Sequence, residues 1–376
     1  MKWPRVAAMG PDRRFSFGIN LDDPWRYAGA QEPKSIIFPH LLSLSLRERG
    51  GFERTEEATI ALHHQPIPQD EADRASLALA DSLKSIGADF VRCWFPWRFF
   101  EPVPLPLGTL GSTLDAGYEK WPMDGLVKAL KAQGISVLPV LACGYSRFLP
   151  AGLSPDAGPD EYLKRAQLHA RLLVRHYRGD ISTWQIENEP DWWAMHEAGG
   201  WRSGASWLEG SGFRDALLRT LNDAVHLEDP RASTMVNLEA DEGRLDVAEY
   251  AKFCDVLGLD FYPNYKSSEP VDASVVRRAR DFARVAEKPV MIAETGYPSG
   301  PSALGYSKEK QADYVCQALK EAHSLDGVIG IGIWRYLDTS WTSFPPQENH
   351  FGLIDEKAGP KDAWYAYGRV LKEIRG

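Results

Sequence analysis

The chain has 376 residues, 44% of them hydrophobic and 25% charged, a balance that lets a soluble globular protein bury a sizeable core and excludes disorder as its organising state. A formal charge of -9, with no run of lysine and arginine interleaved with aromatics, excludes a surface for a nucleic-acid backbone. No apolar run approaches the roughly 18 residues that span a bilayer, and the opening MKWPRVAAMGPDRRF lacks the apolar segment of a secretion signal, so no membrane contact and a cytoplasmic location are expected unless a signal precedes it.

Along the chain, short β-branched or aromatic runs alternate with longer amphipathic stretches. The first strand is FSFGIN (15 to 20), followed by an irregular stretch to about residue 69, then helical spacing at Leu79, Leu83 and Ile86 with Gly87 as a left-handed stop. Strand two is DFVRCWF (89 to 95), helix two runs from about Met123 to Gln133 with Gly134 as its stop, and strand three is SVLPVL (136 to 141). Helix three covers 160 to 177, strand four is ISTWQIEN (181 to 188), and helix four lies near 211 to 227. Strand five is STMVNL (233 to 238), a short helix falls near 244 to 253, and strand six is DVLGLDFY (255 to 262). Helix six (271 to 286) precedes strand seven, KPVMIAET (288 to 295), and helix seven opens after the N-cap Ser307. Strand eight is VIGIGIW (328 to 334), and a last helix begins at Asp362.

Eight such units, with no glycine-rich phosphate loop after strand one, predict an α/β fold closed into a (β/α)8 TIM barrel rather than an open doubly wound sheet. No linker divides the chain, so residues 1 to 376 are read as one catalytic domain with long loops after strands one and four. Cys93, Cys143, Cys254 and Cys316 are widely spaced, without a CxxC or histidine pairing, and read as free buried thiols. The adjacent His63 and His64 need not face the same way and do not define a metal site. Neither metal nor cofactor is expected, and nothing in the sequence bears on oligomeric state.

In such a barrel the active site is built on the loops that follow the strands. Here those loops are rich in aromatics. Trp97, Phe99, Phe100 and Glu101 follow strand two, Tyr145 follows strand three, and the segment PDWWAMHEAGGWRSGASW after strand four holds Trp192, Trp193, Trp201 and Trp207. An indole face is a broad apolar plate suited to the C–H face of a sugar ring, which makes carbohydrate the expected partner, with Trp94, Trp97, Tyr145, Trp192 and Trp193 as candidate contacts. Each of them could instead pack a long loop onto the barrel rim.

Glycoside cleavage needs one carboxylic acid to protonate the leaving oxygen and one carboxylate on the opposite face of the sugar. Strand four ends in Trp184-Gln185-Ile186-Glu187-Asn188-Glu189-Pro190 and strand seven in Ile292-Ala293-Glu294-Thr295-Gly296. Glutamate is a poor strand former, so its place at the end of an apolar strand points to a role. Strand alternation puts Glu187 and Glu189 on the same side, and periodicity does not choose between them.

The segment WQIENEP resembles the Asn-Glu-Pro signature of clan A glycoside hydrolases, which include cellulase-like, mannanase-like and galactanase-like retaining enzymes, and AETGYP resembles their strand-seven glutamate motif. The resemblance implies that Glu189 is the general acid/base, Glu294 the nucleophile, and Asn188 a ligand of the sugar 2-hydroxyl. It further implies that Arg92 holds the nucleophile ionised, that Tyr262 hydrogen-bonds it, and that Trp334 floors the bound sugar. The stretch HFGLIDEKAGPKDAWYAY is similar to the tail of these enzymes. A departure is Asp260, two residues before Tyr262, where many relatives carry histidine.

Glu187 is expected to pair with a basic neighbour or to help order Arg92, and Asp338 and Glu101 to form salt bridges on the rim. A noncatalytic carbohydrate-binding barrel would keep the tryptophans without needing both glutamates and Arg92. A metal-dependent hydrolase would place histidines at strand ends, and a Schiff-base aldolase a lysine near the end of a strand. None of the eight predicted strands has either. The sequence therefore predicts retaining cleavage of a β-linked glucan, mannan, galactan or xylan, or of a short oligosaccharide from one.

Overall fold

The computed structural model describes residues 15–21, 68–102, 118, 120–145, 148–153, 158–191, 212–240, 246–339, 345–355, 357 and 359–376. Eight parallel strands pair in sequence order and close on themselves: β1 (Ser16–Leu21), β2 (Phe90–Trp94), β3 (Ser136–Val140), β4 (Thr183–Asn188), β5 (Ser233–Glu239), β6 (Val256–Phe261), β7 (Val290–Thr295) and β8 (Val328–Ile333). Besides the short turn Trp97–Phe100, the helices among the described residues are α1 (Gln69–Ile86), α2 (Asp124–Ala132), α3 (Pro159–His176), α4 (Phe213–Glu228), α5 (Val247–Tyr250), α6 (Arg278–Ala286), α7 (Lys308–His323) and, after the last strand, α8 (Asp362–Arg375). The expected barrel is therefore present.

Local chemistry accounts for the element ends. Gly87 ends α1 in the left-handed conformation (φ 81°), and the Ser307 side chain accepts from Lys310 N–H to open α7. The helix expected over 271 to 286 is shorter, starting at Arg278 after a 3-10 turn (Ser274–Arg277), because Pro270 and the Asp272 side chain shape an irregular entry. All four cysteines are free, and Cys316 is only half-buried.

Strand alternation divides the interior into two environments. Val91, Cys93, Leu257, Leu259 and Ile331 point outward and pack with Leu79 and Leu83 of α1, Leu319 of α7 and Tyr367 and Leu371 of α8 into one continuous shell core. Inside the barrel, Phe90, Leu138, Met235, Val256, Met291 and Ala293 form a separate apolar layer. Gly18 makes room for it, since a Cβ there would lie 2.5 Å from the Phe90 ring. The strand ends above that layer carry polar side chains instead.

Alternation fails at several places, two of them at the mouth. β4 shifts register against β5 between Gln185 and Glu187, and β7 shifts against β8 between Ile292 and Thr295. Each bulge re-aims the residues beyond it. On β7, Thr295 faces outward to Tyr314 of α7, and Glu294 turns into the barrel mouth.

Gly258 of β6 makes a close approach beside the mouth: an added Cβ would meet Cβ and Cα of Asn237 on β5 at 2.6 and 2.9 Å. Gly258→Ala should cost about 1–3 kcal/mol of stability by forcing these strands apart, read as a lower midpoint in chemical denaturation.

Candidate active site

Arg92 is the organising group of the barrel mouth. Only 1% exposed, it points inward from β2 and donates from Nε to Gln185 Oε1 (2.6 Å), from Nη1 to Asn20 Oδ1 (2.9 Å) and Glu294 Oε1 (2.5 Å), and from Nη2 to Asn188 Oδ1 (2.5 Å). The amides around it are fixed in turn. Asn20 Nδ2 donates to the Ala293 carbonyl (3.0 Å), and Gln185 Nε2 donates to Asn237 Oδ1 (2.5 Å) and the Glu187 carbonyl (3.0 Å). Asn188 Nδ2 donates to Tyr145 Oη (2.7 Å), and Asn237 Nδ2 donates to Asn188 Oδ1 (2.9 Å) and Asp260 Oδ2 (2.5 Å).

Glu294 and Glu189 lie in this mouth in opposite surroundings. Glu294, 6% exposed, has a donor on each oxygen: Arg92 on Oε1 and the Tyr262 hydroxyl on Oε2 (2.5 Å). Burial, followed by the charges of Glu294 and Asp260, pushes the Tyr262 phenol well above its ordinary pKa, so it stays a donor. Glu189, 5% exposed, has its carboxyl only 3.3 Å from Asn188 Nδ2 and within hydrogen-bond reach of the Asp260 carboxyl. Burial first, then the negative charges of Asp260 and Glu294, raise its pKa well above the usual carboxylate range.

Glu189 sits one residue beyond β4 with φ 40°, a left-handed conformation that costs a non-glycine residue about 1–2 kcal/mol. Its N–H donates to the Asn237 carbonyl (3.0 Å) and side chain (3.2 Å), which hold it there. This conformation and the β4 bulge correct the expectation that Glu187 and Glu189 face the same way. Glu187 is buried and accepts from the main-chain N–H groups of Gly144 (2.8 Å) and Asn188 (3.0 Å), which ties it to the loop after β3, while the Arg92 donors reach Gln185, Asn20, Glu294 and Asn188.

The structure therefore brings together Arg92, Tyr145, Asn188, Glu189, Tyr262 and Glu294. Trp334 follows β8, half-buried, with its N–H on the Thr295 carbonyl (2.8 Å). Trp94 is buried against Val140, Ala142, Tyr145 and Phe148, with the Arg92 guanidinium 5.7 Å from its ring centre, and forms the wall behind the site. Trp97 does not fit the platform role. It is 1% exposed, stacks on His169 (4.7 Å between ring centres) and donates from Nε1 to Glu101 Oε2 (2.8 Å), so both residues serve packing and Glu101 is not a rim residue. Asp338 does form a salt bridge, with the buried Lys361 (2.6 Å). Trp192, Trp193, Trp201, Trp207, His63 and His64 lie outside the described residues.

Sequence reasoning missed Asn20, Gln185 and Asn237, and noted Asp260 only as a departure. The signal was partial: Asn20, Asn237 and Asp260 each stand between apolar neighbours in their strands, whereas Gln185 shares β4 with Thr183, Glu187 and Asn188. Among the described residues no three His, Cys, Asp or Glu side chains are grouped to hold a metal ion, and no helix is long and apolar enough to cross a membrane.

No described protein family and no curated protein matches the sequence. Solved structures do match the fold. A GH5_18 variant from Streptomyces cattleya, in complex with Manb1-4GlcNAc, superposes with a TM-score of 0.61 at 19% identity, over 96% of this chain and 81% of that one. A GH5_18 protein from Bifidobacterium longum subsp. longum gives 0.61 at 14% identity, over 82% and 75%. A Bacteroides uniformis beta-glucuronidase gives 0.56 at 18% identity, over 81% of this chain and 33% of that one. At these identities the likeness is one of fold.

The raised pKa of Glu189 has a consequence for stability. The folded chain retains a proton there that the unfolded chain, with an ordinary value of 4.5, releases, so stability present below that pH is lost as pH rises through the folded value. Glu189→Gln escapes this loss. Its melting temperature should exceed that of the wild type by about 2 °C or more near pH 7, a shift expected from roughly 1 kcal/mol, with the gap closing as pH falls below 4.5.

Proposed function

We propose that the protein is a retaining glycoside hydrolase that cleaves β-linked sugars by double displacement. One observation carries this reading: two buried glutamates at the ends of β4 and β7 stand in opposite surroundings, Glu294 with Arg92 and Tyr262 donating to its two oxygens, Glu189 with its pKa raised by burial beside other carboxyls. A carboxylate and a carboxylic acid facing one mouth are the two parts that the reaction needs.

Glu294 attacks the anomeric carbon while Glu189 gives its proton to the departing oxygen, leaving a glycosyl ester on Glu294. Esterification removes the negative charge of Glu294, one of the causes that raise the pKa of Glu189. Glu189 is then suited to take a proton from water as that water displaces the sugar with its original anomeric configuration. Asn188, held from three sides by Arg92, Gln185 and Asn237, presents a fixed amide to the sugar 2-hydroxyl. Trp334, half-buried at the end of β8, supplies the apolar floor. The substrate class is a β-linked glucan, mannan, galactan or xylan, or an oligosaccharide of one. The Manb1-4GlcNAc bound by the similar Streptomyces barrel makes β-mannosides the first to assay.

The test is a panel of aryl β-glycosides with the product anomer followed by proton NMR. Retention is expected as the first-formed product, and inversion would overturn the mechanism. Glu294→Ala should lose activity on the order of a millionfold, the scale at which loss of a nucleophile is felt, while staying folded. An unchanged rate in that variant would remove Glu294 from the reaction. Arg92→Met should lower kcat strongly and destabilise the fold by about 3–5 kcal/mol, since it leaves Glu294 buried without its cation; calorimetry and kinetics report the two effects separately.

A further inference from the structure

Asp260 is a fully buried carboxyl in the barrel mouth, and the double-displacement scheme gives it no step. The β7 bulge sets it opposite Glu294 in the β6–β7 pairing, and its main-chain carbonyl accepts from Ala240 N–H (2.9 Å), so its position is fixed by two neighbouring strands. One side-chain oxygen, Oδ2, is held by Asn237 Nδ2 at 2.5 Å. The other, Oδ1, has no donor among the described residues. A buried carboxylate oxygen left without a donor is costly, and a protonated partner is the remedy.

The partner is Glu189. Asn237 holds both groups at once, accepting the Glu189 N–H on its carbonyl and side-chain oxygens while donating to Asp260, and the two carboxyls come within hydrogen-bond reach. We propose that Asp260 is a positioning residue that accepts the acidic proton of Glu189 on its free oxygen, holding Glu189 protonated and aimed until the leaving group takes the proton.

The surroundings of the pair bias the proton toward Glu189. Burial and the charge of Glu294 raise the pKa of Asp260 too, but Arg92 from β2 and the hydrogen bond with Glu189 work against that and favour its ionised form. For Glu189 burial comes first, and Asp260 from β6, Glu294 from β7 and Asp191 beyond β4 then all favour its neutral form. Tyr262 and Tyr265, which also face these carboxyls, are held neutral by burial, then by Glu294 and Asp260 for Tyr262 and by Glu348 for Tyr265.

In the first step the proton leaves Glu189 for the glycosidic oxygen as the C–O bond breaks and the Glu294–carbon bond forms. Glu189 is then a carboxylate facing another carboxylate, which favours recovery of a proton. Water supplies it in the second step, its oxygen forming the new bond to carbon as the ester to Glu294 breaks.

The inference rests on Glu189 being the acid/base, so the experiment separates the two. The kcat/KM pH profile would be recorded for wild type, Asp260→Asn and Glu189→Gln on aryl glycosides with activated and with poor leaving groups. Asp260→Asn removes the like charge and puts an N–H donor toward Glu189, both of which favour ionised Glu189. The alkaline limb should move down by at least about one pH unit, the scale of such effects on a buried carboxyl. Near neutral pH the poor substrate should lose about a hundredfold more than the activated one, which needs little proton donation.

An alkaline limb unmoved in Asp260→Asn but absent in Glu189→Gln would overturn the role of Asp260 alone. Persistence of the limb, and of activity on poor leaving groups, in Glu189→Gln would overturn the acid/base assignment itself. Because Asp260→Asn could also perturb folding, the Glu189 carboxyl would be titrated directly by 13C NMR in the variant and in wild type. The same downward shift is expected there, and equal titration midpoints would refute the proposal.

Discussion

An arginine sealed inside a barrel is tolerated only when its charge is matched and its N–H groups find acceptors, because an uncompensated buried ion costs several kcal/mol. Arg92 meets that condition through four acceptors on β1, β4 and β7, and the rest of the mouth follows from it. Asn20, Gln185 and Asn188 must present oxygen toward the guanidinium. Their NH2 groups therefore point elsewhere, and where they point sets the next ring of contacts: the Ala293 carbonyl, Asn237 and Tyr145. The orientation of every amide in the site propagates outward from one cation.

The same cation explains why two glutamates of one mouth differ. Arg92 is the positive group of a hydrogen-bonded set that also holds Glu294, Asp260 and Glu189. Three carboxyls cannot all remain ionised in a low-dielectric pocket beside one guanidinium. Glu294 contacts it directly, whereas Glu189 does not, so protons collect on the Glu189 side. The difference in chemistry between the two side chains is thus a matter of distance from Arg92 rather than of residue type.

The barrel was legible in the sequence because its strands are short apolar runs between amphipathic stretches, and the predicted strand ranges fall within two residues of those observed. The side chains facing the mouth were less so. Period two gives the correct face for Arg92, Asn237 and Asp260, which lie on regular strands, and it misplaces the residues of β4 and β7 that follow the bulges. Glu187 and Glu189 looked equivalent for that reason. A bulge depends on pairing between distant strands, so a local pattern carries no mark of it. Trp97 illustrates a second limit: an aromatic just beyond a strand reads as a platform, but its indole is buried against His169 because the turn Trp97–Phe100 folds back onto α3.

The separation of the barrel interior into a lower apolar layer and an upper polar one divides the labour of the sequence. Phe90, Leu138, Met235, Val256, Met291 and Ala293, with Ile329 against them, make up the lower plug among the described residues, and the much larger apolar assembly lies outside the strands, under the helices. Cohesion therefore resides mainly in a shell that never touches the mouth. A substitution in that shell bears on the fold, whereas one among the uncharged amides of the mouth leaves most of the packing untouched. The scaffold can in this way explore new chemistry at its open end with its architecture insured by residues that take no part in the trial.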